Sequence, residues 1–315
     1  MTAKLERYKE VSDVREMAEE ISRLKKEKNA IIMAHYYVAD EIQDIADSVG
    51  DSFFLAKKAT ETDADIIVLC GVRFMGESAK VLNPTKKVLI PDMAADCPMA
   101  HMATTDRIDE VREKYDDVAV VCYVNSTADL KAASDVCVTS ANALKIVSRL
   151  PQRHIYFIPV QNLSHYMADQ LAQREFFFID GFCHVHNSIS LDALKKTKTL
   201  KPDAPVLVHP ECKPEVVAEA DYVGSTSGII KYATESSAKE FIVATELGVM
   251  HELKKRNPDK TFYPAGPMQI CPNMKKLTME KLLHVLKEED SEITLPEKLM
   301  REAKAPMEEM LRLAK

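Results

Sequence analysis

Three cysteines stand at matching places in a chain that repeats itself. Cys97, Cys183 and Cys271 are separated by 183−97 = 86 and 271−183 = 88 residues. Each follows a strand-like run and sits in a loop of small or special residues: Ala94-Ala95-Asp96-Cys97-Pro98-Met99, Gly181-Phe182-Cys183-His184 and Gln269-Ile270-Cys271-Pro272. If the three copies pack around a pseudo-threefold axis, the three thiols meet on it. Three thiolates suit a soft metal or an iron-sulfur cluster. A zinc ion would want a fourth ligand, for which His184, His186 and His101 are candidates. Threefold symmetry favours the cluster, because a cube has a threefold axis through one iron and leaves that iron open to substrate. No C-x-x-C pair supports the signal, so the repeat alone carries it. The residues leave a cluster first, zinc second and three unconnected core cysteines third.

The other four cysteines occupy slots that are apolar elsewhere in the repeat. Cys122 aligns with Ala34 and Val208, Cys70 with Ile158 and Ala244, and Cys137 with Val49 and Val223, as expected of buried small hydrophobes. Cys212 aligns with Ser126 and Val38 and has no counterpart thiol.

Around these cysteines lie groups suited to anions and protons. Ser52, Ser140 and Thr226, 88 and 86 residues apart, each stand before a helical pattern. A hydroxyl there is ordinarily an N-cap, yet free N–H groups at a helix start also bind phosphate or carboxylate. His35 and His209 lie at strand ends close by and add donors. Tyr37, Tyr123 and Glu211 are candidates for proton transfer. Tyrosine at a strand end is more often packing, whereas a carboxylate at the mouth of a parallel sheet is well placed for acid-base work.

These groups are carried by strand-like runs that recur in order. The first is Ile31 to Tyr37, Val120 to Asn125 and Val206 to Glu211; the third is Ile66 to Leu69, Ile155 to Ile158 and Phe241 to Ala244. Helical patterns follow at Phe74 to Leu82, Leu163 to Gln170 and Leu247 to Lys255, and a helix precedes each copy at Val14 to Lys28, Ile108 to Tyr115 and Leu191 to Thr197. Strands alternating with helices predict parallel sheets covered on both faces. The fold class is therefore α/β, with three homologous domains around a pseudo-threefold axis: 1–115, 116–200 and 201–315. Met279 to Glu288 stands where a fourth leading helix would begin, and an amphipathic helix from Pro296 packs back on the first copy or covers the centre. Ligands bind beyond the carboxyl ends of such strands, where the polar clusters lie.

The composition narrows the class further. In 315 residues, 46% are hydrophobic and 29% charged, as in ordinary globular proteins. A formal charge of −7 argues against nucleic acid as a partner. No apolar run approaches a membrane span, and Met1 to Glu10 is too charged for a signal peptide, so a cytoplasmic location is expected. Seven cysteines in a reducing compartment read as thiols, ligands or catalytic groups rather than disulfides. Neither G-x-G-x-x-G nor G-x-x-x-x-G-K-[ST] is present, which removes those nucleotide-binding loops.

Ala34-His35-Tyr36-Tyr37, Gln43-Asp44-Ile45-Ala46-Asp47, Gly50-Asp51-Ser52, Cys97-Pro98-Met99-Ala100, Tyr123-Val124-Asn125-Ser126-Thr127, Thr139-Ser140-Ala141-Asn142, Gly181 through Cys183 to His186, His209-Pro210-Glu211-Cys212, Gly224-Ser225-Thr226 and Cys271-Pro272-Asn273-Met274-Lys275 run in one order over essentially the whole chain. In these segments the chain resembles the quinolinate synthase (NadA) family. The resemblance implies three α/β domains and one 4Fe-4S cluster with three cysteine ligands, Cys97, Cys183 and Cys271, and one open iron. It implies condensation of iminoaspartate (iminosuccinate) with dihydroxyacetone phosphate to quinolinate, releasing phosphate and water, in NAD biosynthesis. It puts anion binding on His35, Ser52, Asn125, Ser140, His209 and Thr226, acid-base work on Tyr37, Tyr123 and Glu211, and a functional link to L-aspartate oxidase or aspartate dehydrogenase. Many members have Asn where this chain has Tyr36, and some have Pro at His184; the flanking His35, Tyr37 and Cys183 are intact. An iron-sulfur redox sensor or electron carrier, which needs no anion pockets, and a zinc-dependent lyase, which would lack the cluster's visible absorption, are the alternatives.

Overall fold

A computed structural model describes the backbone of residues 2–315 and the side chains of residues 14–315. Met1, where the first expected domain begins, lies outside the described residues. Twelve strands form three sheets of four. The first holds β1 (Ala30–His35), β2 (Ser48–Gly50), β3 (Ile66–Cys70) and β4 (Lys87–Leu89). The second holds β5 (Val118–Tyr123), β6 (Val136–Val138), β7 (His154–Ile158) and β8 (Glu175–Phe177). The third holds β9 (Val206–Val208), β10 (Tyr222–Val223), β11 (Glu240–Ala244) and β12 (Thr261–Pro264). Each sheet is parallel and runs second–first–third–fourth, so all three have the same topology.

Register makes the repeat exact to the residue. Ala34 pairs with Val49 and Cys70, Cys122 with Cys137 and Ile158, and Val208 with Val223 and Ala244. The slots expected for Cys70, Cys122 and Cys137 are thus interior ladder positions, all buried. Three aspartates repeat as well: Asp47, Asp135 and Asp221 accept from the backbone N–H of Ile32, Val120 and Val206, at 2.9, 2.7 and 2.8 Å. Each pins the approach to the second strand onto the first strand of its own unit.

The helix that follows each repeated cysteine is capped in the same way, seven residues beyond it. Thr104, Ser190 and Thr278 accept from the backbone N–H three residues on, opening Thr105–Lys114, Leu191–Leu200 and Met279–Glu288. The last of these helices has no fourth unit to lead. Its Leu282, Val285 and Leu286 join Ile21 and Leu24 of Thr2–Glu27 in the first unit's core. The final helix, Glu297–Leu313, inserts Ala303, Met307 and Met310 into a core that joins the second unit to Ala56, Val81 and Leu82 of the first, so it packs on both of these units and does not line the central cavity. Among the described residues, no helix is long and apolar enough to cross a membrane.

Candidate active site

The carboxyl ends of β1, β5 and β9 converge on one central cavity, and every residue expected from the sequence as a cluster ligand, anion-binding group or acid-base group lines it. The cysteines Cys97, Cys183 and Cys271 come from the loops after β4, β8 and β12, all three free and partly buried. The hydroxyls of Ser52, Ser140 and Thr226 come from the segments after β2, β6 and β10. His35, Tyr37, Tyr123, Asn125, His209 and Glu211 come from the first-strand ends. Of the three histidines weighed as a fourth zinc ligand, His184 and His186 reach the cavity. His101 does not; it is exposed and bonds Asp96 Oδ2 at 2.7 Å.

The helix starts differ from the simple N-cap expectation. Ser52 and Thr226 are the first helical residues, and the caps are their predecessors Asp51 and Ser225, which accept from the N–H of Phe54 and Gly228. Ser140 stands in a turn ahead of Ala143–Arg149, whose cap position is Asn142. None of the three hydroxyls caps its own helix, which leaves them available to a ligand. Asp51 also lines the cavity.

The histidines at the first and third strand ends are set alike. His35 Nδ1 accepts from Tyr37 N–H at 3.2 Å, and His209 Nδ1 from Glu211 N–H at 3.3 Å. An accepting Nδ1 assigns the proton to Nε2, so each ring is a neutral donor. Burial, with the nearby charges of Lys275 and His186, holds His35 down to about 3. Burial likewise holds His209 well below its ordinary value, and its Nε2–H lies 3.3 Å from Ser140 Oγ.

His186 behaves oppositely. Burial pulls its pKa down, but Cys183 and Glu211 outweigh burial and carry it up to about 10. Its Nδ1 is 3.1 Å from Glu211 Oε2 and 3.2 Å from Cys183 Sγ, and its ring stacks on His209 with centroids 4.4 Å apart. Burial pushes the Cys183 thiol up, against the opposing pull of His186 beside it. Nε2 of His186 is 2.9 Å from Thr245 Oγ1, which is 2.8 Å from the Tyr37 hydroxyl, itself 2.7 Å from Thr226 Oγ1. A continuous hydrogen-bonded chain therefore links Tyr37 to Glu211 through Thr245 and His186. Burial raises the pKa of Tyr37 and Tyr123 well above that of a free phenol, keeping both protonated.

Three buried acceptors of cavity-lining residues lack partners: Glu211 Oε1, Asn125 Oδ1 and Asp51 Oδ2. Glu211 is 2% exposed; its Oε2 meets His186, while Oε1 has no hydrogen-bond partner within the protein. Asn125 Oδ1 is likewise unpartnered. A buried carboxylate oxygen left bare costs several kcal/mol, about 1–3 for a neutral group and more for a charged one, so the site is built to receive a donor from a ligand.

The cysteines themselves discriminate between metals. One tetrahedral zinc holds its thiolates roughly 3.8 Å apart, given Zn–S bonds of about 2.3 Å. Among the described residues, the group compact enough to hold one metal ion is Cys183, His186 and Glu211, and Cys97 and Cys271 are not part of it. Three thiols on one cavity are a donor set apt for a polynuclear iron-sulfur group. Cys97 N–H donates to Oδ1 of its own neighbour Asp96 at 2.8 Å, whereas the third loop is held from outside, Cys271 N–H donating to Glu246 Oε1 at 3.0 Å. Glu246 is fully buried and lines the cavity, and Lys275 beside it donates to Tyr37 O at 2.7 Å, tying the third cysteine loop to the first strand end. Glu246, Thr245 and His186 extend the residue set beyond the strand-end motifs. Glu246 follows β11 by two residues, a carboxylate at a strand mouth like Glu211, and that placement is its signal in the sequence.

Residues 19–312 match the family described as Quinolinate synthetase A protein. The chain is 49% identical over 302 residues to a quinolinate synthase of Caldicellulosiruptor saccharolyticus, covering 96% of this chain and 100% of that protein. It is 49% identical over 307 residues to one of Aquifex aeolicus, covering 96% and 95%. It is 44% identical over 301 residues to quinolinate synthase 2 of Methanosarcina acetivorans, covering 96% and 97%. With three parallel sheets facing one cysteine-lined cavity and this likeness along nearly its whole length, the chain belongs to the quinolinate synthase family, enzymes that condense iminoaspartate with dihydroxyacetone phosphate in NAD biosynthesis.

Proposed function

We propose that Cys97, Cys183 and Cys271 hold the 4Fe-4S cluster that enzymes of this family use, leaving one iron open. The donor set fits: three free thiols, one from each repeated unit, line one cavity. When bound, such a cluster supplies a Lewis acid for dehydration. His35, Ser52, Asn125, Ser140, His209 and Thr226 bind the phosphate and carboxylates of the substrates. The neutral rings of His35 and His209 give Nε2–H donors that add no positive charge, and the hydroxyls give donors whose direction the ligand can choose. Glu211 accepts a proton at Oε1 during carbon-carbon bond formation, and Tyr37, backed by Thr245 and His186, returns one during ring closure. Tyr123 orients and protonates from the second unit. Phosphate, water and quinolinate leave.

The observation that carries this reading is the convergence of the three repeat-matched cysteines and the polar ends of all three sheets on one cavity. Iminoaspartate hydrolyses readily, so L-aspartate oxidase or aspartate dehydrogenase supplies it. Units at 1–115, 116–200 and 201–315 accord with breaks between the helices ending at Lys114 and Leu200 and the strands that follow. The test supplies iminoaspartate and dihydroxyacetone phosphate anaerobically to protein of measured iron and sulfide content. Quinolinate is expected, and its absence from cluster-replete protein would overturn the reading in favour of an iron-sulfur sensor.

A further inference from the structure

The repeat extends to the seams between units, where it carries three buried donors. Gln43 and Lys131 are equivalent positions, 131−43 = 88. Gln43 Nε2 donates to Val38 O and Gly248 O, both at 3.1 Å. Lys131 Nζ donates to Ser126 O at 2.7 Å and Phe74 O at 3.3 Å. The acceptors correspond too: 126−38 = 88, and 248−74 = 174 is 88 plus 86. In each case one side chain ties the loop after the first strand of its unit to the helix start after the third strand of a neighbour.

At the third seam the equivalent position is Val217, 86 residues beyond Lys131, and valine cannot donate. The bond is made from the opposite side. Asn162, the equivalent of Phe74 and Gly248, donates through Nδ2 to Glu211 O at 2.9 Å. The junction is closed with the same two segments, the donor and acceptor roles exchanged.

We propose that Gln43, Lys131 and Asn162 are positioning residues of the condensation, three seam latches that fix the strand-end loops carrying Tyr37, Asn125 and Glu211 at the central cavity. The inference rests on the roles given above to those three residues. Lys131 is the strongest case, because its ammonium is 0% exposed, and its further bond is to Ser78 Oγ at 2.9 Å. Burying a cation among neutral acceptors is costly, and the fold does not require one, since Val217 fills the same slot. What the cation holds is Ser126 O, next to Asn125, and Ser126 Oγ in turn donates to Tyr123 O at 2.8 Å. On its other side it holds Phe74, which lines the cavity.

Lys131→Met keeps length and removes the donors, while Lys131→Gln brings the first seam's side chain into the second. On anaerobic, cluster-loaded protein we would measure kcat and KM per cluster, iron and sulfide content, visible absorption, and quinolinate affinity by calorimetry. Lys131→Met is expected to keep iron and absorption, lose about 10- to 100-fold in kcat/KM, the scale of an ångström-level misplacement, and bind quinolinate more weakly. Lys131→Gln is expected to recover most of both losses. Wild-type kinetics and quinolinate affinity in Lys131→Met, whatever its melting temperature, would overturn the latches. If Lys131→Met does not fold, Asn162→Leu takes its place under the same two criteria. Glu211→Gln is the control. If Glu211→Gln is fully active, the assigned roles fall; if it is inactive beside a wild-type Lys131→Met, only the latches fall.

Discussion

The middles of the three sheets and their carboxyl ends obey different rules. In the middles the copies are interchangeable: Ala34, Cys122 and Val208 hold one ladder position, and the aspartates Asp47, Asp135 and Asp221 make one bond in triplicate. At the ends the copies diverge, with His35 and Tyr37 in the first, Tyr123 and Asn125 in the second, and His209 and Glu211 in the third. Packing asks only for volume and apolarity, so it preserves the repeat while tolerating any small residue. Two unlike substrates have no threefold symmetry, so the groups that meet them cannot have it either. The cysteines are the exception at the ends, identical in all copies, as a group with a threefold axis demands.

The largest effects belong to that exception. Cys183→Ala is expected to abolish the broad visible absorption and all quinolinate formation, and Cys97→Ala and Cys271→Ala to do the same. A full complement of iron and sulfide in any one of them would break the comparison, because that cysteine would then be a packing residue like Cys70.

Next come the asymmetric groups. Glu211→Gln keeps shape and removes a proton acceptor, so kcat is expected to fall by roughly 10²–10⁴ with cluster content unchanged. The readout is single-turnover quinolinate formation beside iron analysis. Ser52→Ala and Thr226→Ala each delete one donor to a charged ligand, worth about 1.5–3 kcal/mol, and are expected to raise KM by about 10- to 100-fold. An unchanged KM in both would reduce these hydroxyls to packing.

The sequence made the repeat readable because parallel strands leave apolar runs at fixed spacing, and the cysteines, hydroxyls and strand-end histidines could be placed from it. The tail was less readable. Met279–Glu288 packs on the first unit as its place in the repeat suggests, but nothing in the apolar pattern of Glu297–Leu313 says which core it joins. The chain from Tyr37 through Thr245 to His186 joins three units, and no periodicity within one copy encodes a contact among three. At Ser52 and Thr226 the cap falls one residue before the hydroxyl, because Gly-Asp-Ser and Gly-Ser-Thr each offer two capping residues in succession.

The strand-end histidines and His186 sharpen the contrast through pH. His35, held to about 3, and His209 bind fewer protons folded than unfolded once the pH falls below their ordinary value near 6.5. Stability is therefore lost as pH drops, by up to about 1.4 kcal/mol per unit for each ring. His186, carried up to about 10, has the opposite sign: its contribution is complete below about 6.5 and disappears as pH rises toward 10. Urea midpoints of the cluster-free protein should peak near pH 6–7. Replacing His35 by Gln should flatten the acid limb only. An acid limb unaltered by that change would mean that His35 is charged in the folded chain.

The smallest effect tests the sheet middles. Cys122→Ala installs in the second copy the residue that the first copy carries at Ala34, between Cys137 and Ile158 in the ladder. The thiol makes a weak 3.5 Å contact to Tyr123 O and lies beside the Cys137 thiol, and its loss leaves a void of about one sulfur atom. Deleting so little buried volume costs on the order of 1 kcal/mol. Iron, absorption, kcat and KM should match the parent, and only the denaturation midpoint should move, because the strand keeps its backbone bonds on both sides. Tyr123 follows Cys122 directly and faces the cavity, so the substitution also asks how sharply one residue divides the two regimes. A measurable change in KM from Cys122→Ala would show that packing in the sheet sets the position of the strand-end groups, and the division between interchangeable middles and specialised ends would have to be drawn one residue deeper.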